Sequence, residues 1–368
     1  MPTKTKAIIF IPGFKGSFLA NQHGYKRWVT AEQAIFGTTS LALPNEDIGI
    51  RNEELTDAGV IHEVPIVPFL YSQRVYKSIL SFLKKKLPQY SIVEFSYDWR
   101  VDFIDTLKRL DQTILDLRAS GVKSISIIAH SMGGMLTTHY LRYGLQDPSD
   151  AQENWYGLKN IDSVVFAGTP FQGSLEIFDD MQWGLLTGIN SSLLNAEAYS
   201  SFLTSYYLLP TTEQLSVLNQ QDQKIDIYDV SNWHKNKWGL FSNYSHEAAK
   251  FEFTKFYLNR ASEYHALRNS SSNVAPGKFI KILNIVGIGL KTQNIAQWNE
   301  EKRKLRFRTF SEHEEAKLDG DIVVTARSAE LPESLKQNFS NETIYTKQNH
   351  VTLFRDGLVK AALLKHFS

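Results

Sequence analysis

One serine in this chain lies in a sequence context that can turn a hydroxyl group into a nucleophile. Residues 129–134 read Ala-His-Ser-Met-Gly-Gly, which fits the nucleophile elbow G-x-S-x-G with alanine in the first glycine position. Small neighbours are required because the serine occupies a strained turn between a strand and a helix. An apolar strand pattern precedes Ser131 and a helical pattern follows it, so we predict that Ser131 is the nucleophile of an acyl transfer. An ordinary serine in a tight glycine turn is the alternative.

A serine nucleophile needs a general base, and after an elbow of this kind the chain order is serine, acid, histidine. His350 lies just after a strand-like segment, in the loop position that a base needs, and we predict it to be the base. His366, in the C-terminal helical pattern, is the alternative. His130 and His139 come too early in this order, and we expect both to be structural.

The third member of such a site is a carboxylate that orients the imidazole and stabilises its charged form. Residues 318–324 read Leu-Asp-Gly-Asp-Ile-Val-Val and offer two candidates. Asp321 directly precedes the apolar run and is the predicted acid, whereas Asp319 is the alternative. An ordinary Asp-Gly turn is the simpler interpretation for either aspartate.

Acyl transfer also needs two backbone N–H groups aimed at the oxygen that becomes negatively charged. The N–H of Met132, directly after the nucleophile, is one predicted donor. The other should come from a loop after an earlier strand. The turn Pro12-Gly13-Phe14 follows the apolar residues 7–11, so we predict the N–H of Phe14 as the second donor. A plain glycine turn is the alternative for this loop.

These residues must be positioned by an alternation of buried strands and amphipathic helices, which is typical of a parallel α/β sheet. The patterns predict an irregular stretch to about residue 69. They predict strands at 7–11, 91–97, 124–129, 161–167, 279–286, 322–325 and 343–346, and helices at 72–87, 103–117, 132–143 and 351–366.

The alternation breaks between the strand near 165 and the strand near 282. We therefore predict a catalytic core of residues 1–174 and 277–368 with a helical cap, residues 175–276, inserted into it. Apolar residues recur every four positions near its start, at Ile177, Met181, Leu185, Ile189 and Leu193. They form either the core of the cap itself or the roof of an acyl-chain pocket that touches a membrane surface.

Two further strings complete the pattern: Tyr97-Asp98-Trp99-Arg100, and residues 168–174, which read Gly-Thr-Pro-Phe-Gln-Gly-Ser. Together with the loop after residue 11 and the elbow at Ser131, they make the chain resemble the lecithin:cholesterol acyltransferase family and its lysosomal phospholipase relatives. The resemblance covers about residues 7–174 and 278–366. It implies an α/β-hydrolase fold: a mostly parallel central sheet flanked by helices, with a large helical cap inserted between late core strands.

The resemblance also implies an enzyme that acts on acyl esters of lipids, in which Ser131, Asp321 and His350 match the catalytic residues of the family. Phe14 and Met132 match its oxyanion positions. This chain departs from the extracellular members, which carry a signal peptide and disulfides. It also has Ile-Val after the Asp-Gly-Asp motif where the family usually has Gly-Thr or Asp-Thr. A prokaryotic-type intracellular relative fits this pattern.

The string at 97–100 has a physical interpretation of its own. Asp98 and Arg100 are two residues apart in an extended segment, so they lie on the same side and can pair, while Trp99 faces the other way. Tyr97, Asp98, Trp99 and Arg100 are predicted to support the pocket or its lid. A purely structural ion pair and a contact with substrate remain equal alternatives.

Composition excludes several classes of protein. The 40 Lys and Arg residues nearly balance the 39 Asp and Glu residues, so no nucleic-acid partner is expected. The absence of cysteine removes disulfides, thiolate metal sites and a cysteine nucleophile. No paired metal-ligand spacing occurs, and we expect neither a metal nor a cofactor. No apolar run has the length of a signal-peptide core or a membrane span, so we expect a cytoplasmic protein.

The combined expectation is a serine hydrolase of acyl esters, with lipid esters as the favoured substrates and water as the final acceptor. An O-acyltransferase is the alternative within the same fold, because an alcohol can replace water. Peptidase and thioesterase activity remain open, since fold does not settle substrate. A silent α/β-hydrolase that only binds ligands is a more remote alternative.

Overall fold

The computed structural model describes residues 4–37, 39–67, 71–211, 216–309 and 320–368. Its strands are β1 (Lys6–Ile11), β2 (Ser17–Asn21), β3 (Lys26–Trp28), β4 (Leu55–Val60), β5 (Glu63–Val67), β6 (Tyr71–Arg74), β7 (Tyr90–Glu94), β8 (Ser124–His130), β9 (Ser163–Ala167), β10 (Leu185–Thr187), β11 (Asn190–Leu194), β12 (Ser216–Leu218), β13 (Lys281–Gly287), β14 (Gln293–Asn299), β15 (Lys304–Thr309) and β16 (Ser340–Thr346). Its helices are α1 (Ala31–Phe36), α2 (Lys77–Lys86), α3 (Phe103–Ala119), α4 (Met132–Tyr143), α5 (Leu175–Trp183), α6 (Ala196–Ser201), α7 (Leu203–Leu208), α8 (Val230–Asn236), α9 (Glu247–Asn269), α10 (Glu333–Asn338) and α11 (Gly357–Phe367).

The central sheet has six strands in the order β16-β13-β9-β8-β1-β7, and all five pairings are parallel. Successive residues of β1 point to opposite faces: Ile9 joins one core cluster and Ile8 joins the other. The first cluster includes side chains of α3 and α4, and the second includes side chains of α2 and α11. Helices on both faces explain why the inner strands are continuous apolar runs. The predicted α/β-hydrolase architecture is confirmed.

Because the strands are parallel, their carboxyl ends meet at one edge of the sheet, where such folds bind their ligands. The loop after β1 contains Phe14, β8 leads into Ser131, and the loop after β16 contains His350. Strand β13, next to β16, leads towards the segment that contains Asp321. The topology therefore gathers all the predicted chemical groups at the same edge.

The inserted segment lies between β9 and β13, which are neighbours in the sheet. It contains α5 to α9, and also the short strands β10, β11 and β12. Strand β12 pairs with β14, which follows the core strand β13, so the chain returns to the inserted segment after completing the core. The boundaries at residues 175 and 276 stay predictions. None of the helices in the described ranges combines the length and the apolar character that a membrane span requires.

The predicted irregular stretch before residue 69 is wrong in part. Strands β3, β2 and β4 form a small antiparallel sheet, and α1 lies between β3 and β4 in the chain. Both pairings contain register shifts, so the strands are short and interrupted and leave no regular alternation of apolar residues to detect.

The predicted strand at 322–325 is also wrong. Both the Val323 N–H and the Val324 N–H donate to Oδ1 of Asp321, at 3.1 and 2.7 Å, and Ile322 has a φ of 86°. The segment therefore curls around the carboxylate. A side chain that accepts nearby backbone N–H groups competes with sheet formation, and an apolar pattern does not reveal that competition.

Two predicted helices start later than expected. The helix predicted from residue 72 begins at Lys77, because residues 71–74 pair with β5. In the C-terminal segment a 3₁₀ turn, Leu353–Arg355, precedes α11. Asp356 caps α11 by accepting the N–H of Leu358 at 2.8 Å, so a polar cap fixes the helix start inside an apolar stretch.

Candidate active site

Ser131 occupies the turn between β8 and α4 with a φ of 54°, a conformation that non-glycine residues rarely adopt. The neighbouring glycines are needed because other chain segments approach closely. A Cβ on Gly133 would lie 2.7 Å from the carbonyl oxygen of Ile11, and a Cβ on Gly134 would lie 1.9 Å from Oγ1 of Thr169. The elbow is therefore wedged between the loops that follow β1 and β9.

The structure brings Ser131, His350 and Asp321 into one hydrogen-bonded series. Oγ of Ser131 is 2.9 Å from Nε2 of His350, and Nδ1 of His350 is 2.7 Å from Oδ2 of Asp321. A carboxylate can only accept, so Nδ1 carries the proton and Nε2 accepts from the serine hydroxyl. All three residues are buried, with exposed fractions of 7%, 8% and 1%. This arrangement can deprotonate the serine as it attacks a carbonyl.

The acid is fixed from its own side as well. Its second oxygen accepts the two N–H groups of the curled segment described above, and a Cβ on Gly287 at the end of β13 would lie 2.4 Å from Cβ of Asp321. The alternative acid, Asp319, lies outside the described residues. The alternative base, His366, has no hydrogen-bond partner for Nε2 in the described part of the chain, whereas Nε2 of His350 meets Ser131.

Two opposing effects act on the base. Burial favours the neutral ring and lowers the pKa of His350, but the negative charge and the hydrogen bond of Asp321 act in the opposite direction. The pKa of His350 comes out above its ordinary value. The base therefore holds a proton more readily than a free imidazole, which suits a group that must first take a proton and then return it.

The predicted oxyanion donors also lie beside the nucleophile. Met132 is the first residue of α4, so its N–H has no partner within the helix. A Cβ on Gly13 would lie 3.2 Å from Oγ of Ser131, which places the loop of Phe14 directly against the nucleophile. Within the described ranges, neither the Phe14 N–H nor the Met132 N–H donates a hydrogen bond. Both are free to meet a substrate oxygen.

The string at 97–100 contacts the loop after β1 and does not line the cavity. Tyr97 donates its hydroxyl to the carbonyl of Pro12 at 2.8 Å, and the Trp99 indole donates to the carbonyl of Ser17 at 3.0 Å. Arg100 makes a buried ion pair with Asp98 at 2.7 Å, and the same guanidinium donates to the carbonyl oxygens of Leu41 and Leu55. The geometry favours support of the loop over contact with substrate.

A cavity of about 240 Å³ opens onto Ser131 and His350. Much of its lining is apolar: Phe14, Pro170, Ile177, Leu208, Val323, Val324 and Val351. Its polar wall contains Lys15, Glu176 and Asp180. The ammonium group of Lys15 donates to the Tyr199 hydroxyl at 2.8 Å and lies 3.8 Å from Asp180. Burial raises the pKa of Glu176 and of Asp180.

The sequence analysis did not identify these three charged residues. One signal was available for two of them: Ser174 accepts the N–H of Glu176 and caps α5, and Glu176 and Asp180 are four residues apart, so they share one face of that helix. No set of three or more His, Asp or Glu side chains is arranged to hold a metal ion in the parts of the chain that the structure describes.

Comparison with known proteins extends this picture. The family model described as Lecithin:cholesterol acyltransferase matches residues 70–355. The uncharacterized protein YJR098C of Saccharomyces cerevisiae is 24% identical over 274 residues, which cover 71% of this chain and 38% of that protein. The chain thus spans well under half the length of this curated relative.

Two solved structures are similar in fold. The Tle4–Tli4 complex gives a TM-score of 0.57 at 12% identity and covers 98% of both chains. The mature lipase BlEst2 of Bacillus licheniformis gives a TM-score of 0.39 at 12% identity, with 99% of this chain and 94% of that chain covered. The family match, by contrast, covers well over half of the sequence and includes Ser131, Asp321 and His350. This protein belongs to the lecithin:cholesterol acyltransferase family.

Proposed function

We propose that this protein is a serine hydrolase of acyl esters, with lipid esters as its substrates. The observation that carries the proposal is the buried series from Ser131 through His350 to Asp321, with distances of 2.9 and 2.7 Å. Membership of the family supports an acyl-ester enzyme of the α/β-hydrolase fold. The apolar lining of the cavity beside the nucleophile supports an acyl chain as the bound group.

The proposed reaction has two halves. Oγ of Ser131 attacks the ester carbonyl while Nε2 of His350 takes its proton, and the N–H groups of Phe14 and Met132 stabilise the oxyanion. The protonated ring then gives its proton to the departing alcohol, which leaves an acyl group on the serine. Water, deprotonated by the same ring, attacks the acyl-enzyme and releases the fatty acid. Asp321 keeps Nδ1 protonated throughout and stabilises the imidazolium.

Hydrolysis of p-nitrophenyl esters from C2 to C16 tests this proposal, with wild type and Ser131→Ala compared in the presence and absence of phospholipid vesicles. Activity that disappears in the variant and grows with chain length or with vesicles is the expected result. Labelling by a fluorophosphonate, which forms a covalent bond to an activated serine, gives a second readout. A wild type that neither hydrolyses any ester nor takes up the label would contradict the proposal.

Acyl transfer to an alcohol is the second candidate, favoured by the family to which the chain belongs. The chemistry is the same until the acyl-enzyme forms, and the outcome depends on whether water or an alcohol reaches it. Analysis of products formed with and without a lipid alcohol acceptor separates the two activities. An ester product that exceeds the free fatty acid would identify a transferase.

We also propose that the inserted segment touches a lipid surface through an apolar hairpin, which we define as residues 183–189. Trp183, Leu185, Leu186 and Ile189 have exposed fractions of 53%, 41%, 64% and 75%. Helix α5 connects this hairpin to the cavity: Ile177 lines the cavity and Trp183 ends the helix, about 9 Å apart along its axis. Large apolar side chains grouped beside the entrance of an acyl-ester site match a lipid surface.

A further inference from the structure

A second hydrogen-bonded series runs behind the nucleophile. The N–H of Gly13 lies 3.0 Å from the hydroxyl oxygen of Tyr76, and that oxygen lies 2.8 Å from Nδ1 of His130. On the other side of the ring, Nε2 of His130 lies 2.9 Å from the backbone carbonyl oxygen of His350. The series therefore connects the loop that follows β1 with the loop that follows β16, and it passes the residue next to Ser131.

The chemistry of the end groups fixes the direction of every hydrogen bond. The carbonyl of His350 can only accept, so Nε2 of His130 carries a proton and donates it. In a neutral ring Nδ1 then accepts, and the Tyr76 hydroxyl must be its donor. The oxygen of Tyr76 in turn accepts the N–H of Gly13. No group in the series is left without a partner, and no alternative tautomer of His130 satisfies both ends.

The surroundings keep this series in one state. His130 and Tyr76 have exposed fractions of 5% and 4%, and their rings meet edge to face with centroids 5.5 Å apart. Burial, together with the nearby ring of His350, lowers the pKa of His130 to about 3. The ring of His130 thus stays neutral when His350 takes up a proton during a reaction, and it does not compete for the proton of Ser131.

The central sheet alone does not fix the separation of these two loops. Strands β1 and β16 are not neighbours, since β8, β9 and β13 lie between them. Strand register positions adjacent strands, but small differences in twist accumulate across several. A direct connection at the carboxyl edge removes that freedom where the two loops meet the nucleophile.

We propose that His130 and Tyr76 are positioning residues that hold the oxyanion donor of Phe14 and the base His350 at a fixed separation on either side of Ser131. This inference rests on the proposed serine hydrolase function. Neither side chain touches the substrate; both act through the backbone of the residues that do. Because reacting groups must be placed closely, a displacement of about 1 Å costs a rate factor of about 10².

Tyr76→Phe tests the inference, because it removes one hydroxyl and keeps the ring. Tyr90→Phe is the matched control: its hydroxyl donates to the carbonyl of Phe367 at 3.2 Å, and it is also buried. Tyr90 begins β7, so it lies at the end of the sheet opposite the site. We expect Tyr76→Phe to lower kcat and the fluorophosphonate labelling rate at least tenfold with little change in KM. Tyr90→Phe should keep both near wild type.

Two variants of His130 separate its two hydrogen bonds. His130→Gln keeps a donor near the place of Nε2, and His130→Asn keeps an acceptor near the place of Nδ1. If the contact with His350 is the one that positions the base, the glutamine variant should retain several-fold more activity than the asparagine variant at equal thermal stability.

The outcomes are distinguishable. If Tyr76→Phe reacts with the label as fast as Tyr90→Phe while both lose the same thermal stability, the hydroxyl is merely structural and the inference is wrong. If the wild type takes up no label at all, the proposed function fails and the inference fails with it. A rise in KM at constant kcat would also overturn it, because that pattern indicates lost substrate binding.

Discussion

Asp321 and His350 are joined twice. Oδ2 of Asp321 accepts Nδ1–H of His350 at 2.7 Å, and the backbone carbonyl of Asp321 accepts the backbone N–H of His350 at 3.0 Å. The acid and the base therefore move as one unit, and the side-chain hydrogen bond is oriented by a main-chain bond beside it. Their loops are also linked to neighbouring strands, since β13 and β16 pair over seven residues. The nucleophile comes from β8, two strands further along the sheet.

Asp321→Asn should lower kcat by about 10⁴, because an amide in this position no longer holds the ring with Nδ1 protonated. Steady-state hydrolysis of a soluble short-chain ester measures the effect. Asp319→Asn is the matched control and should keep activity near that of the wild type. Full activity of the Asp321 variant together with an inactive Asp319 variant would assign the acid to the other aspartate.

The acid limb of the pH profile should report the ionisation of His350. Protonated imidazole cannot accept the proton of Ser131, and the pKa of His350 is raised above 6.5, so kcat/KM should fall as the pH drops through a midpoint above that value. In Asp321→Asn burial acts without the opposing negative charge, and the midpoint should move to lower pH. His366→Gln is the control and should leave it in place. A midpoint that ignores Asp321 would contradict this assignment.

Ile322→Gly should stabilise the protein. A β-branched residue at a φ of 86° is strained, and this side chain is 54% exposed, so its removal loses little packing. We expect the free energy of unfolding to rise by about 1 kcal/mol after the entropy cost of glycine. Urea denaturation measures it. Val274→Gly, at an exposed loop residue without positive φ, should give no gain. Equal effects of both substitutions would rule out local strain.

Ile189→Glu should weaken binding to phospholipid vesicles about tenfold or more. A large apolar side chain that leaves water contributes about 2 kcal/mol, and a carboxylate in its place adds a penalty. Vesicle co-sedimentation measures the binding, and hydrolysis of a soluble C4 ester should remain at the wild-type level. Phe279→Glu provides the comparison, because Phe279 is 79% exposed and precedes β13 at the opposite end of the sheet. Equal losses in both variants would exclude a specific role for the apolar hairpin.

Particular residues illustrate how far the sequence reaches. The elbow at Ser131 was predictable because local sterics demand small residues around a strained turn, and α4 has the predicted bounds, Met132–Tyr143. Strand β8 differs from its prediction by one residue, because a run of apolar residues between helices has few alternatives. The segment after Asp321 was predicted to be a strand and is not, since its N–H groups bind the carboxylate instead of a neighbouring strand.

The sequence by itself determined the fold class, the family resemblance and the identity of the three residues that now lie in series, because short-range patterns and chain order encode them. Only the tertiary structure decided which groups surround them. Tyr76 lies 54 residues from His130 in the chain, and His130 lies 220 residues from His350; Lys15 meets Asp180 across the cavity. Contacts between such distant residues depend on the order and twist of the strands, which no local pattern records.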